Sequence, residues 1–344
     1  MRRRYECDQV DLRVAESIGI EINFIKDLEF SDLYLGHPIL GDRFSHVPGA
    51  PVSPILAGAR LRKDLDCLIE ICDGAAKADS DNSEFKVLHD GLTYRVAVMH
   101  SVAGKVYVVR RLGNIIHSLR ELGIPAAYIR YLMSRDLTGL FVISGGVKSG
   151  KTTTACSMVR QRLESFAGVA VSVESSIELP LEGAHGDGIC YQTSLGDGDG
   201  DFVKAFRNSM RWGADTILVD EIRDREMAAE VLQASVNGYL VIATLLASSV
   251  IQAIGKLHAL ANEIFIPGGT NALLADGLAG VLHQKIVCGP RQKLETEFLF
   301  LPQESLTKAV LRTGRFELLE SDMKRQMTSM ISGEAAAQRM ISEA

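Results

Sequence analysis

The sequence of 344 residues has little of what marks redox-active, nucleic-acid-binding or exported proteins. Its six cysteines form no Cys-x-x-Cys pair, which argues against a zinc site or a redox-active dithiol and favours reduced thiols in a cytosolic protein. A net charge of −6 provides no overall basic field for a nucleic acid. The start, Met-Arg-Arg-Arg, is followed by acidic residues and by no apolar core, so no signal peptide is expected.

Charged residues are also absent between Val231 and Gly255. This stretch contains Gln, Asn, Thr and Ser side chains, however, and a bilayer would penalise several of them. We interpret it as the end of a helix, a turn at Asn237-Gly238, a buried strand over Tyr239–Leu245 and a following helix. A membrane span is the alternative, and we expect no transmembrane segment.

The length and the residue patterns predict two domains. Residues 1–111 are expected to form an α+β domain with a helix over Leu61–Ala78, in which Cys67 and Cys72 are core residues. Two of its strands are expected over Tyr94–His100 and Lys105–Arg111. Residues 112–136 are expected to form a helical linker, with Pro125 in the first turn of a helix that ends at Arg135.

Residues 137–344 alternate short apolar runs with helical patterns, which predicts an α/β domain with a mainly parallel sheet. The polar, glycine-rich stretch Ser194–Asp201 is expected to be a flexible surface loop, because a calcium loop would need a glutamate at its twelfth position. A helical tail is expected from Leu318. The predicted strands are Phe141–Ser144, Val169–Val173, Thr216–Asp220, Tyr239–Leu245 and Glu297–Leu301.

Residues 145–152 read Gly-Gly-Val-Lys-Ser-Gly-Lys-Thr, the phosphate-binding loop pattern G-x-x-x-x-G-K-[ST]. An apolar strand precedes the loop and a helix is expected over Lys151–Ser165, so the helix N-terminus would face the phosphates of ATP or GTP. Lys151 is expected on the β- and γ-phosphates and the Thr152 hydroxyl on Mg²⁺. A glycine turn that binds nothing is the alternative. The expected nucleotide-binding residues are Gly145, Gly146, Val147, Lys148, Ser149, Gly150, Lys151, Thr152 and Thr153.

The segment Thr216-Ile-Leu-Val-Asp-Glu221 is an apolar strand that ends in two carboxylates, the pattern of a Walker B motif. We expect Asp220 to hold Mg²⁺ and Glu221 to act as general base toward the attacking water. An ordinary solvated strand end is the alternative. Glu174 ends a neighbouring predicted strand and is expected to orient the water or the metal shell, the alternative being a capping or surface glutamate.

Several segments resemble the secretion ATPases of type II secretion, type IV pili and type IV secretion. The stretch Thr216–Asp224 resembles their Walker B segment, hydrophobic-Gly-Glu-hydrophobic-Arg-Asp, with Asp220 in place of glycine. The stretch Val171–Glu178 is similar to their Asp box, Ile-Glu-Asp-Pro-Ile-Glu, with Ser175 and Ser176 in place of Asp-Pro. The stretch Phe206–Asp215 resembles the one before their Walker B, with Arg211 at the family's arginine, and the resemblance implies that Arg211 belongs to the catalytic set. The resemblance runs from about Phe30 to Lys285 and indicates the PilT- and DotB-like branch of pilus retraction and type IVB secretion or conjugation.

The resemblance implies a RecA-like P-loop domain behind a smaller, PAS-like α+β domain. It also implies a cytoplasmic homo-hexamer that uses ATP and Mg²⁺, contacts inner-membrane secretion or pilus platform proteins and binds no nucleic acid. Arginines on first-domain strands would act as fingers on ATP held by the next subunit. Arg95 and Arg110 are the candidates, with Arg111 as a substitute, and exposed strand arginines are the alternative.

The family's His box is not matched, because Tyr239 and Leu246 stand where its two histidines would be. A leucine side chain forms no hydrogen bond to a phosphate. The sequence therefore predicts slow ATP hydrolysis with weakened coupling between nucleotide state and domain motion. The second hypothesis is a structural ring component that binds nucleotide with little turnover, and the third is a small-molecule P-loop kinase.

Overall fold

The computed structural model describes residues 24–50, 52–78, 84–111, 115–194, 199–266, 268–287, 293–302 and 306–342. The chain divides into two compact units, Met1–Asn114 and Ile115–Ala344. Part of the expected linker (112–114) and part of the expected polar loop (195–198) lie outside the described residues.

The first unit is α+β, with a six-stranded sheet in the order β3-β2-β1-β6-β5-β4. All described pairings in this sheet are antiparallel. The sequence predicted only β5 and β6 of these strands, and β1, β2 and β3 contain only four, three and two residues. The elements are β1 (Asp32–Leu35), β2 (Arg43–Ser45), β3 (Ile55–Leu56), α1 (Arg62–Ala78), β4 (Glu84–His89), β5 (Leu92–Ser101) and β6 (Gly104–Arg111).

Helix α1 buries one face in the core of this unit through Leu65, Leu68 and Cys72. These positions recur every three or four residues and therefore lie on one side of the helix. Cys67 lies on the opposite side and is exposed. The expectation that Cys67 is a core residue was wrong for this reason.

The second unit contains an eight-stranded sheet in the order β14-β13-β7-β12-β11-β8-β10-β9. Strands β13, β7, β12, β11, β8 and β10 run parallel, and β14 and β9 pair antiparallel at the two edges. The strands are β7 (Gly139–Gly145), β8 (Gly168–Glu174), β9 (Gly183–His185), β10 (Gly188–Ser194), β11 (Thr216–Val219), β12 (Leu240–Leu246), β13 (Leu278–Val287) and β14 (Lys293–Phe300). The helices are α2 (Ala126–Leu132), α3 (Lys151–Phe166), α4 (Asp199–Arg211), α5 (Arg225–Val236), α6 (Val250–Asn262), α7 (Gly269–Gly277), α8 (Leu306–Thr313) and α9 (Leu319–Ser342).

Both faces of this sheet are covered, and every residue of β7 is buried. Its side chains alternate between two hydrophobic clusters: Leu140 and Val142 lie in one, and Phe141 and Ile143 lie in the other. Residues of α5, α6 and α7 complete the first cluster, and residues of α2 and α3 complete the second. This explains why the central strands read as continuous apolar runs rather than as alternating patterns.

Three sequence expectations change in detail. The linker residues 115–136 belong to the second unit, where Leu119 and Leu132 are fully buried in its core. Helix α2 ends at Leu132 rather than Arg135. The polar stretch after Ser194 is helical from Asp199, where α4 begins, and so the expected loop is shorter than predicted.

The uncharged stretch from Val231 to Gly255 has the predicted form, since α5 ends at Val236, β12 follows, and α6 begins at Val250. Among the described helices, none combines the length and the apolar character needed to span a membrane.

Candidate nucleotide-binding site

The site lies at one edge of the second sheet, where neighbouring parallel strands end. Gly145 at the end of β7 pairs with Leu246 at the end of β12. Asp220 follows β11, and its N–H donates to the Val173 carbonyl of β8 at 3.1 Å. Ligand sites of α/β proteins lie at this carboxyl edge. The fold therefore brings together the three motifs that the sequence predicted: the phosphate loop, the Walker B carboxylates and Glu174.

The backbone of the phosphate loop turns tightly before α3. Lys148 and Gly150 have left-handed φ angles of 60° and 81°. Helix α3 begins at Lys151, directly after the loop, and so its free N–H groups point toward the loop interior. Such a turn of N–H groups at a helix N-terminus binds anions. Val147 and Lys148 are exposed at the loop tip, and Thr152 and Thr153 are half-buried in the first helical turn.

Lys151 is held inside this loop, where its Nζ donates to the Gly146 carbonyl at 2.7 Å. Burial lowers the pKa of Lys151, and the nearby carboxylates of Glu221, Asp220 and Glu178 oppose that shift. The lysine of the loop and the carboxylates of Walker B thus share one electrostatic site. A carbonyl is a weaker partner for an ammonium group than a phosphate is, so Lys151 is placed to exchange one for the other.

The backbone at Asp220 is held from both sides. The Thr244 hydroxyl of β12 donates to the Asp220 carbonyl, and the Ile222 N–H donates to the Thr244 carbonyl at 2.9 Å. The Asp220 and Glu221 side chains keep 15% and 19% of their exposure and so face a partly open site. Arg223 Nε donates a hydrogen bond at 3.3 Å to Oε2 of Glu221, the candidate general base.

Glu174 is fully buried at the end of β8. Its Oε1 accepts hydrogen bonds from Ser172 Oγ at 2.5 Å and Gln192 Nε2 at 2.8 Å. Its Oε2 has no hydrogen-bond partner among the described residues. Burial raises the pKa of Glu174, and the charges of Asp220 and Glu178 add to that effect. A buried carboxylate oxygen without a partner is costly, which is typical of a group kept for function.

Sequence analysis missed the residues of β13 that contact the loop from its other side. Gln284 Nε2 donates to the Ser149 carbonyl at 2.7 Å, and Ser144 Oγ lies 3.2 Å from His283 Nδ1. A Cβ at Gly145 would lie 2.4 Å from the Gln284 carbonyl oxygen, so the two strands touch at this glycine. The apolar run Leu278–Leu282 was the available signal for this strand.

Lys256 was also missed, and it places a second ammonium group at the loop. Its Nζ donates to the Leu246 carbonyl at 3.1 Å. Its charge contributes to the lowered pKa of Lys151. Leu246 itself pairs with Gly145, where β12 and β7 end.

Two residues named in the sequence analysis, Arg211 and Tyr239, lie away from this edge of the sheet. Arg211 is exposed in the last turn of α4, just before β11 begins, and Tyr239 precedes β12. Because β11 and β12 run parallel to β7, the starts of these strands lie at the sheet edge opposite to the phosphate loop. The structure therefore does not bring Arg211 to the carboxylates of its own chain.

The finger candidates lie in the first unit and are ion-paired there. Arg95 and Arg110 are direct neighbours across β5 and β6. Arg95 Nε lies 3.0 Å from Glu84 Oε2, and Arg110 Nη2 lies 2.6 Å from Asp32 Oδ1. Adjacent like charges repel one another across a sheet, and each arginine is neutralised by its own carboxylate.

The residues fit a magnesium-bound nucleotide. The loop presents N–H donors and Lys151 to phosphates, and Thr152 and Asp220 supply the hydroxyl and carboxylate oxygens that Mg²⁺ prefers. Ser149 Oγ and Gln284 Oε1 are buried polar atoms at the loop that lack a partner among the described residues, as does Glu174 Oε2. Unpartnered polar atoms on both sides of the loop are consistent with a polar ligand.

Comparisons with known proteins cover most of the chain. Residues 76–344 match the family model described as Type II/IV secretion system protein. Type II secretion system protein E of Aeromonas hydrophila is 30% identical over 276 residues, which cover 72% of this chain and 52% of that protein. The chain spans about half the length, or less, of the curated relatives it matches.

Two solved structures share the architecture of both units. The pilus retraction motor PilT with bound ADP has a TM-score of 0.70 at 22% identity and covers 87% of each chain. The ATPase DotB of Yersinia pseudotuberculosis has a TM-score of 0.67 at 18% identity, over 85% of this chain and 82% of that one. These likenesses show a RecA-like α/β fold with a preceding N-terminal domain. Since the family model covers more than half of the sequence, the chain belongs to the type II/IV secretion system protein family.

Proposed function

We propose that this protein hydrolyses ATP with Mg²⁺ and that the hydrolysis powers a type IV secretion, conjugation or type IV pilus machine. One observation carries the proposal: the phosphate loop after β7 and the carboxylates Asp220 and Glu221 after β11 lie at the same edge of the parallel sheet, and both carboxylates act on the charge of Lys151. A nucleotide-binding protein without turnover has no use for a carboxylate placed to activate water.

In this mechanism the N–H groups of the loop and Lys151 bind the phosphates, and Thr152 and Asp220 hold the cation. Mg²⁺, when bound, neutralises the charge that develops on the transferred phosphoryl group. Glu221 accepts the proton of the attacking water, and Glu174 orients that water through its unpartnered oxygen. Arg223 has to release Glu221 before Glu221 acts as a base, because the two are in contact at 3.3 Å.

The working assembly is proposed to be a cytoplasmic homo-hexamer, attached to the inner membrane through secretion or pilus platform proteins. Arg95 and Arg110 would then stabilise transition-state charge on ATP bound by a neighbouring subunit. Asp32 is more deeply buried than Glu84, with 8% against 39% of its side chain exposed. Releasing Arg110 from its carboxylate therefore costs more than releasing Arg95, which makes Arg95 the readier finger.

A structural ring component that binds nucleotide and rarely hydrolyses it is the second candidate. Two observations favour it: Leu246 presents an apolar side chain beside Gly145, and Arg223 donates a hydrogen bond to Glu221, the candidate base. Such a protein would bind ATP and assemble, but its turnover would not depend on Glu221.

Turnover separates the two candidates. Phosphate release is measured for the wild type, Glu221→Gln and the matched control Glu226→Gln, whose carboxylate lies on the same segment and is 51% exposed. The motor predicts that Glu221→Gln lowers kcat by about 10²–10⁴-fold, with nucleotide affinity retained and Glu226→Gln unaffected. Equal rates for all three proteins would refute the motor and favour the ring component.

Assembly is measured separately, as molar mass by light scattering with and without a non-hydrolysable ATP analogue. A nucleotide-promoted hexamer is expected. A monomer in both conditions would contradict the ring, and with it the role of Arg95 and Arg110 as fingers between subunits.

A further inference from the structure

A single hydroxyl group joins the ends of β8 and β11. Ser175 directly follows Glu174, and its Oγ donates to Asp220 Oδ2 at 2.7 Å. The same oxygen accepts a hydrogen bond from Arg223 Nη2 at 3.2 Å. Ser175 therefore contacts the carboxylate expected to hold the cation and the arginine that holds the candidate base.

The direction of the Asp220 carboxylate depends on Ser175. The backbone of Asp220 is pinned by Val173 and Thr244, so only the side chain is able to turn. Among the described residues, Ser175 is the hydrogen-bond donor to this carboxylate, and Arg223 approaches Oδ2 only to 3.9 Å. Oδ2 is thus occupied, and Oδ1 is left without a described donor.

Charge favours a serine at position 175. Asp220 lies among the carboxylates of Glu174, Glu178 and Glu221. A further carboxylate in contact with Asp220 would repel it. A neutral hydroxyl instead donates a hydrogen bond to the Asp220 carboxylate.

We propose that Ser175 is a positioning residue that orients the Asp220 carboxylate toward the magnesium ion. This inference rests on the proposed function, since it concerns how the site binds a magnesium-bound nucleotide. It assigns Ser175 a role that depends on the cation and not on the nucleotide alone.

The test uses binding of a fluorescent ATP analogue to the full chain, titrated with Mg²⁺ and repeated in EDTA. Ser175→Val and Ser175→Thr are the matched pair, because they have the same shape and only threonine keeps the hydroxyl. Ser175→Val is expected to raise the Mg²⁺ concentration at half-maximal binding about tenfold, as for a lost hydrogen bond to a charged group, and Ser175→Thr to stay within about threefold of wild type. Affinity in EDTA and the melting temperature are expected to be the same for both.

A Ser175→Val variant with the Mg²⁺ midpoint of the wild type would overturn the inference, as would an equal loss of affinity in EDTA. Wild-type binding that does not respond to Mg²⁺ would overturn it too, together with the metal role of Asp220. Turnover is assayed separately. A wild type that shows the Ser175-dependent Mg²⁺ response but hydrolyses no ATP would refute the proposed motor while supporting this inference.

Discussion

Gly145→Ala is expected to distort the phosphate loop, whereas the same change at Gly146 is tolerated. A Cβ at Gly145 would lie 2.4 Å from both the Gln284 carbonyl oxygen and Ser149 Oγ. A Cβ at Gly146 would meet no atom within 4 Å. Neither glycine has a positive φ angle, so the contrast between them is steric and not a matter of backbone conformation.

The size of the effect follows from what the new methyl group meets. Ser149 Oγ is able to rotate away, but the Gln284 carbonyl belongs to β13 and moves only if that strand shifts. Overpacking of this kind costs about 1–3 kcal/mol, and a backbone obstacle places Gly145→Ala at about 3 kcal/mol. For a unit of this size that corresponds to a melting temperature lower by about 6–12 °C. Gly146→Ala should change stability by less than about 0.5 kcal/mol.

Thermal unfolding of the three proteins, followed by circular dichroism, tests the stability contrast. Binding of a fluorescent ATP analogue then tests the shape of the phosphate loop. Gly145→Ala is expected to lose affinity because the N–H groups of the distorted loop no longer converge on the phosphates. Equal melting temperatures for Gly145→Ala and wild type would refute the close packing of β13 against the loop. An equal loss of affinity in Gly145→Ala and Gly146→Ala would refute the steric explanation.

Three further predictions concern other parts of the site. Arg110→Ala is expected to lower turnover in the assembled ring with little change in ATP affinity, and to cost about 1–3 kcal/mol of stability, since it leaves the buried Asp32 carboxylate without its ion-pair partner; unchanged turnover would remove Arg110 from the site. Burial raises the pKa of Glu174 above its ordinary 4.5. The stability that the neutral carboxyl contributes below pH 4.5 is therefore lost as the pH rises through the raised pKa. Glu174→Gln removes this titration, and its melting temperature relative to wild type should therefore increase from pH 4.5 toward pH 8; a constant difference across that range would contradict the burial of an ionisable group there. Lys256→Met should weaken ATP binding more than ADP binding, measured by competition, because it removes a cation near Lys151; equal effects on the two nucleotides would place Lys256 outside the reach of the terminal phosphate.

Much of the second unit was predictable from sequence because its signals are local. The spacing of Gly145, Gly150 and Lys151 specifies the phosphate loop, and an apolar run ending in Asp220 and Glu221 specifies a buried strand with carboxylates at its end. The first unit was less predictable. Its short strands between turns, such as β1 and β2, carry too few residues for an alternating pattern to stand out.

Exposure and position within an element were harder to predict than the element itself. Helix α1 was expected, yet Cys67 lies on its solvent side, because Cys67 and Cys72 are too far apart in the helical repeat to share one face. Arg211 was expected in the catalytic set from resemblance alone, and strand direction puts it at the opposite edge of the sheet.

The sequence by itself determined that a phosphate-loop pattern precedes a helix and that acidic residues follow a buried strand, since both depend on residues adjacent in the chain. Tertiary structure alone decided which distant residues complete the site. Gln284 reaches Ser149 because β13 lies beside β7, and Ser175 reaches Asp220 because β8 lies beside β11. Strand order and register set these contacts, and they arise from packing across the whole sheet rather than from any local pattern.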